Sequence, residues 1–313
     1  MDILKEIDVL WRNVAKVQQR VPQHGVLHAS DSGKPIRRLV MAFFRDRWPI
    51  PPLSSRAQRT FDRGHEVHDR IRGEIRRAII GNAPTPEAED VARALVARIP
   101  ETQADEEVWD IPLIEGWVLR GHPDGVLPTG IENRGTTYNS ESLLEIKSVN
   151  SFGWDDVVGG LIDAEYIVQA QMNMKGLDLH QTLFIFEKKD TQHLHQEIVT
   201  RAESTIEATI EKLKLAATIV EEITRGEGDP IMSTAPCEIE GRYGKKQDRK
   251  GWTLEWGCGY CPFATVCHPK MVQVFEAGKL RWMPDITVPS SAWVAKWGND
   301  VLPKPTWQVL GDV

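Results

Sequence analysis

No cysteine precedes Cys237 in a chain of 313 residues, yet four fall between Cys237 and Cys267. Thiols scattered through a core for packing would not be distributed this way, so the cysteines read as one site. No uninterrupted apolar run is long enough to cross a bilayer. The opening stretch MDILKEIDVLWRNVAKVQQR carries acids inside its apolar periodicity. It reads as an amphipathic helix without the organisation of a secretion signal, and a cytoplasmic protein is expected. An excess of positive charge is also missing. The formal net charge of -7 excludes a uniformly basic nucleic-acid-binding protein while leaving room for a local positive groove. Nor is there a long flexible linker, so a single elaborated α/β domain is as compatible with the length as two domains.

What is present concentrates between Gly121 and Lys147. Leu119, Val126, Leu143, Leu144, Ile146 and Val149 supply the partly alternating apolar positions of short strands. Gly121, Pro123, Gly125 and the polar run Asn133 to Ser140 bound them. Successive strand residues point to opposite faces, so Glu145 and Lys147 share one face and Ile146 anchors the other. If the two strands pair as neighbours, Asp124 comes close to Glu145. Two carboxylates so placed invite a hard divalent cation.

Ser54 or Ser55 caps a predicted helix, RAQRTFDRGHEVHDRIRGEIRRAII, whose Phe61, Gly64, His68, Ile71, Ile75 and Ile79 recur on one face. Arg56, Arg59, Arg63, Arg70 and Arg77 fall opposite, whereas Arg72 and Arg76 lie nearer the His68 side. A lone inward histidine is more often a satisfied core residue than a ligand. Upstream, Arg37, Arg38, Arg45 and Arg47 cluster about a short helix, Ile36 to Phe44; they read as phosphate contacts or as a solvated face. A second amphipathic helix is expected over Glu87 to Ile99, and SVNSFGWDDVVGG is expected as a loop. In the helix that follows, Ile162, Tyr166, Gln169, Asn173 and Gly176 share a face. A buried Gln169 and Asn173 need partners, either backbone or a ligand, a water or the lysine of the acidic stretch. TLFIFEKKD and HLHQEIVT read as strands, and RAESTIEATIEKLKLAATIVEEITRG as a long helix ending at Gly226. Helix, strands, helix, strands predict a small mixed sheet flanked by helices.

Cys258, Cys261 and Cys267 sit in WGCGYCPFATVCHPK, with Cys237 upstream and His268 as a substitute ligand. The spacing fits structural zinc or an iron-sulfur cluster, and reduced thiols are expected inside the cell. Lys245, Lys246, Arg249 and Lys250 in the connection are candidate phosphate contacts. Trp282, Trp293, Trp297 and Trp307, among prolines, read as rings docked onto the core.

Asp124 followed by Glu145-Ile146-Lys147 resembles the Asp...Glu-x-Lys signature of the PD-(D/E)xK phosphodiesterases. Arg63 to His68 is similar to the glycine-to-histidine helix motif of the RecB-like branch, and Gly121-His122-Pro123-Asp124-Gly125 to its acidic motif. Gln169 corresponds to the first residue of that branch's glutamine-to-tyrosine motif, whose tyrosine position is held here by Asn173. Cys258, Cys261 and Cys267 resemble the C-terminal cysteines of iron-sulfur RecB-type exonucleases, including CRISPR-associated and phage ones. Those proteins carry their fourth cysteine near the N-terminus. The corresponding Ser30 to Leu39 has none, which leaves Cys237 as the fourth ligand of a complete cluster.

The resemblance spans about residues 28 to 268 and implies an α/β fold of the restriction-endonuclease-like class. A mixed central sheet would be flanked by helices, with a C-terminal cysteine-cluster segment. On this reading residues 1–313 form one nuclease domain: a helical region at 1–55, a catalytic core at 56–200, a long helix and connection at 201–236, a cluster segment at 237–268 and a tail at 269–313. The implied activity is metal-dependent hydrolysis of DNA, as an exonuclease. Mg²⁺ or Mn²⁺ would be held by His68, Asp124, Glu145 and the Ile146 carbonyl, with Lys147 and Gln169 completing the catalytic set. A structural cluster, 4Fe-4S or alternatively zinc, would tie the C-terminal segment to the core. DNA with single-stranded character is the expected substrate, with Arg37, Arg38, Arg72, Arg76, Lys245 and Lys246 as contacts. A recombination, repair or CRISPR-type protein partner in a bacterial or phage-infected cell is also implied. Substitution of Lys147 is expected to abolish cleavage and spare the fold. The alternatives are a non-cleaving DNA-binding or assembly subunit and a zinc-containing endonuclease.

Overall fold

A computed structural model describes residues 22–48, 55–129, 131–133, 136–234, 239–243, 251–254, 261–267, 271–276, 279–284 and 308–309. Two compact units account for them. The first comprises the described parts of Met1–Lys34 and Pro52–Thr218, the second those of Pro35–Pro51 and Ile219–Val313. The first twenty residues, expected as a helix, lie outside the described residues.

The first unit holds two mixed sheets. In the smaller one, β1 (Val26–His28) runs parallel to β3 (Val118–Gly121), which pairs antiparallel with β2 (Trp109–Pro112). The larger sheet has four strands in the order β4 (Gly125–Leu127), β7 (Ser142–Val149), β8 (Gln181–Lys188) and β9 (Leu194–Thr200). Between β4 and β7 lies a hairpin of β5 (Ile131–Asn133) and β6 (Thr136–Tyr138). Strand β7 is antiparallel to β4 and parallel to β8, and β8 is antiparallel to β9.

Alternation along β7 divides the core in two. Leu144 and Ile146 face a cluster containing Val67, Ile71, Val96, Ile99 and Leu183. Leu143 and Val149 face the other, with Ala170, Met174, Phe184 and Phe186. The first cluster is supplied by α2 (Ser55–Gly81) and the residues around α3 (Pro86–Leu95), the second by α4 (Ser151–Val158) and α5 (Ala164–Leu177). Ile146 is fully buried, as the sequence pattern predicts; burying such a side chain contributes about 1.5–3 kcal/mol.

The segment expected as a loop after Lys147 is α4, a correction with a local cause. Asn150 caps it, its side-chain oxygen accepting the Gly153 N–H at 2.9 Å. Val157 is buried and Trp154 packs on the same cluster. A helix capped and packed this way outweighs the glycines that suggested a loop. Helix α6 (Glu203–Thr224) runs as expected and is followed by Gly226 at φ 84°.

Trp109 explains two glycines. Its buried indole lies against Gly121 of β3 and Gly176 of α5 so closely that a Cβ at either position would collide with the ring. Gly125, directly after Asp124, has φ 153°, and a Cβ there would stand 3.2 Å from the Arg98 carbonyl oxygen.

The second unit contains α1 (Ile36–Phe43), a hairpin of β10 (Ile239–Tyr243) and β11 (Gly251–Leu254), and the short helix α7 (Ala264–Cys267). It also contains a sheet in the order β13 (Lys279–Pro284), β12 (Met271–Glu276), β14 (Gln308–Val309). Trp282 therefore lies on a strand, while Trp293, Trp297 and Trp307 fall outside the described residues. Among the described residues no helix is long and apolar enough to cross a membrane.

Candidate active site

The antiparallel register places Gly125 of β4 beside Leu144 of β7. One step further along both strands sets Asp124 beside Glu145. Asp124 accepts the Ile146 N–H at Oδ2 (2.7 Å), and its Oδ1 lies 2.7 Å from Nδ1 of His68 on α2. An ionised carboxylate only accepts, so Nδ1 carries the proton in this contact. In that tautomer the ring's lone pair is on Nε2, the nitrogen left for a metal.

Glu145 and Lys147 share the face of β7 turned to α5, as the strand period requires. Lys147 Nζ donates to Glu145 Oε2 at 2.9 Å and to Gln169 Oε1 at 3.1 Å, and stands 5.3 Å from the centre of the Tyr166 ring. The Asn173 amide donates to the other oxygen of Glu145. Tyr166, Gln169 and Asn173 follow one another at three- and four-residue steps of α5, so a single helix face serves the pair. Asp124 and Glu145 are 7% and 1% exposed, and the Lys147 side chain 13%.

Burial by itself would raise the Asp124 carboxyl; the His68 ring bonded to it, the Lys147 charge and the Ile146 N–H instead hold it below the usual range. For Glu145 the balance is reversed: burial, reinforced by the Asp124 charge, pushes it up against the pull of Lys147 and Asn173. Burial would lower Lys147, but Glu145 and Asp124 more than offset it, so its ammonium is held more firmly than usual.

These buried groups fit a divalent cation. Two carboxylates and one ammonium leave one negative charge in excess in a region nearly closed to water, where charge imbalance is expensive. Carboxylate oxygens, a peptide carbonyl and one imidazole suit Mg²⁺ and Mn²⁺. Among the described residues no three His, Cys, Asp or Glu side chains form a ready-made cage. Asp124, Glu145 and His68 are instead tied to neighbours that a cation would partly replace.

The expected DNA contacts divide. Arg72 is fully buried, donating to Glu106 (2.8 Å) and Asp69 (2.7 Å), and Arg37 is 5% exposed, bonded to Thr234 and the Ile231 carbonyl. Both are corrected to internal ties, since neither guanidinium is presented to solvent. Arg76 donates to the carbonyls of Val96 and Ile99 and to Glu101, fastening α2 to the end of α3. Arg38 is partly exposed on α1. Lys245, Lys246, Cys237 and Cys258 lie outside the described residues. Cys261 precedes the turn into α7 and Cys267 ends that helix, with Cys267 Sγ 3.4 Å from Met41 Sδ.

Sequence reasoning missed Glu106 and Tyr166. Burial raises the Glu106 carboxyl, with Arg72 opposing and Asp124 reinforcing the shift, so this acid lies in the field of the site. It precedes β2 in a loop without periodicity, and nothing local signals it. Tyr166 was visible on the Gln169 face of α5 but carried no assigned role.

No protein-family model matches the chain, and no curated protein matches it. Among solved structures it is similar to SSO0001, at 13% identity over 85% of this chain and 96% of that one, with a TM-score of 0.40. It is also similar to the alkaline exonuclease LHK-Exo from Laribacter hongkongensis, at 18% identity over 70% and 97%, with a TM-score of 0.38. The complex of LHK-Exo with dAMP matches at 18% identity over 65% and 93%, with a TM-score of 0.38. Overlaps this slight support no inference about activity.

Proposed function

We propose that this chain is a metal-dependent DNA nuclease with a RecB-like PD-(D/E)xK core, acting as an exonuclease. The observation that carries the reading is the juxtaposition of buried Asp124 and Glu145 with Lys147, whose Nζ lies 2.9 Å from Glu145, beside His68. Asp124, Glu145, His68 and the Ile146 carbonyl would hold Mg²⁺ or Mn²⁺. Such a cation supplies Lewis acidity toward the phosphate and lowers the pKa of a bound water. Lys147 keeps its proton at Nζ and presents a fixed positive charge to the negative charge that develops on the phosphate oxygens. Gln169 holds that ammonium in place through its 3.1 Å hydrogen bond, and the Tyr166 ring stands 5.3 Å from it on the same helix face. Cys237, Cys258, Cys261 and Cys267 would hold a structural 4Fe-4S cluster, which visible absorption of the purified protein tests against zinc.

The decisive assay follows Mn²⁺-dependent cleavage of end-labelled single- and double-stranded DNA by the full chain and by Asp124→Asn. The asparagine keeps an oxygen to accept the Ile146 N–H, so the fold is retained while the carboxylate is lost. Cleavage by the parent chain and its loss in Asp124→Asn are expected. Undiminished cleavage by the variant overturns the assignment.

A further inference from the structure

We infer that Asn173 is a positioning residue for cation binding, acting through Glu145; this rests on the nuclease reading above. Asn173 is fully buried on α5, one turn beyond Gln169, and its amide donates to Glu145 Oε1. The opposite oxygen, Oε2, is held by Lys147. The Glu145 carboxylate is thus gripped at both ends, by an ammonium and by a neutral amide, and its plane is set before any cation arrives.

The amide orientation follows from chemistry. A carboxylate held by Lys147 offers only acceptors, so Asn173 must present its N–H₂ and turn its carbonyl oxygen away. That oxygen, Oδ1, is buried and has no hydrogen-bond partner. Buried carbonyl groups rarely lack a donor, and one that does points to a missing group. The donor we assign is a water bound to the cation at Asp124 and Glu145. Asn173 then has two functions: Nδ2 aims a ligand, and Oδ1 would accept a hydrogen bond from the cation's water. Tyrosine, which the resembling motif carries at this position, has a single hydroxyl on a longer arm and cannot reproduce both contacts with the geometry of an amide.

Groups that orient metal ligands typically contribute about 10–100-fold in metal affinity. The test is a double-mutant cycle on Mn²⁺ affinity, measured by calorimetry without DNA on the parent chain, Asn173→Leu, Glu145→Gln and the double variant. Circular dichroism confirms that each is folded. Asn173→Leu is expected to weaken Mn²⁺ binding by about 10–100-fold. In the Glu145→Gln background the same change should cost clearly less, because the aiming of Glu145 is already lost and only the Oδ1 contact remains to be removed. Asn173→Ser, smaller and still polar, guards against an unfolded leucine variant and should also lower the affinity. Unchanged affinity in a folded Asn173 variant, or equal losses in both backgrounds, overturns the proposal. Absence of Mn²⁺ binding by the parent chain overturns the metal-dependent reading itself, a different result.

Discussion

Replacing Lys147 with methionine should do more than stop cleavage. Sequence reasoning expects the fold to be spared, but the structure argues otherwise because Glu145 is 1% exposed and Lys147 is its charged partner. At 2.9 Å the pair's attraction is about 6 kcal/mol at an effective dielectric constant of about 20. The variant need not lose all of it, since Glu145 can take up a proton instead. With a reference carboxyl pKa of about 4.3 and about 1.4 kcal/mol per pH unit, protonation at pH 7 costs about 4 kcal/mol. The cheaper route sets the outcome, so Lys147→Met should lose about 3–4 kcal/mol at pH 7, in the range for breaking a buried pair. Glu145 is already raised by burial and by Asp124, and loss of Lys147 raises it further. A raised carboxyl stabilises the fold below its unfolded value, and that contribution disappears as pH rises through the folded one. The defect should therefore shrink to about 1 kcal/mol at pH 5. Removing the stranded charge as well, in Lys147→Met with Glu145→Gln, should recover most of the loss at pH 7. Urea unfolding of the metal-free proteins at both pH values measures all of this. Equal stability of Lys147→Met and the parent chain at pH 7, or a defect as large at pH 5, would refute the reasoning.

Gly121→Ala and Gly176→Ala each drive a methyl group into the buried Trp109 ring. Each should lower stability by at least about 1–3 kcal/mol in urea unfolding, and a neutral result at both would remove the indole from its slot. Mn²⁺ at one hundred times its dissociation constant should stabilise the parent chain by about 2.7 kcal/mol, reversibly with chelator, and should add far less to Asp124→Asn. An equal gain in both would place the ion elsewhere. On the surface, the Arg120 hydrogen bond holds the Asp110 carboxyl below its usual range. Its contribution is present above the unfolded carboxyl value and lost as pH falls through the lowered one. The pair is about one-third exposed, so Arg120→Ala should cost less than about 1 kcal/mol at pH 7, with the difference from the parent chain shrinking as the pH falls below the unfolded carboxyl value.

The parts of the site visible in the sequence are those governed by local period. Glu145, Ile146 and Lys147 alternate on one strand, so their faces follow from counting, and one turn between apolar runs suffices to bring Asp124 near. His68 is legible as inward-facing because Ile71, Ile75 and Ile79 repeat about it. Arg72 defeats the same reasoning. Its helical angle places it toward the core, but only Glu106, thirty-four residues away, makes that burial tolerable. Arg37 is similar, with Thr234 far off in sequence. In both cases the sequence suggests a DNA contact because the internal partner is invisible to any window of the chain. The α4 correction has a different origin, since the Asn150 cap that opens this helix is local to the stretch.

The same distinction bears on how the site keeps its shape. Asp124 is fixed by a peptide N–H of β7 and Lys147 by a side chain of α5, so neither depends on a loop for its partner. Helix α5 carries its polar stripe of Gln169 and Asn173 beside Ala170 and Met174, which pack with Phe184 and Phe186. The core that holds α5 against the sheet therefore also sets the distance between the amides and the Glu145-Lys147 pair. A single buried interface fixes both stability and site geometry. For that reason overpacking at Ala170 should disturb cation binding even though no atom of that side chain faces the carboxylates.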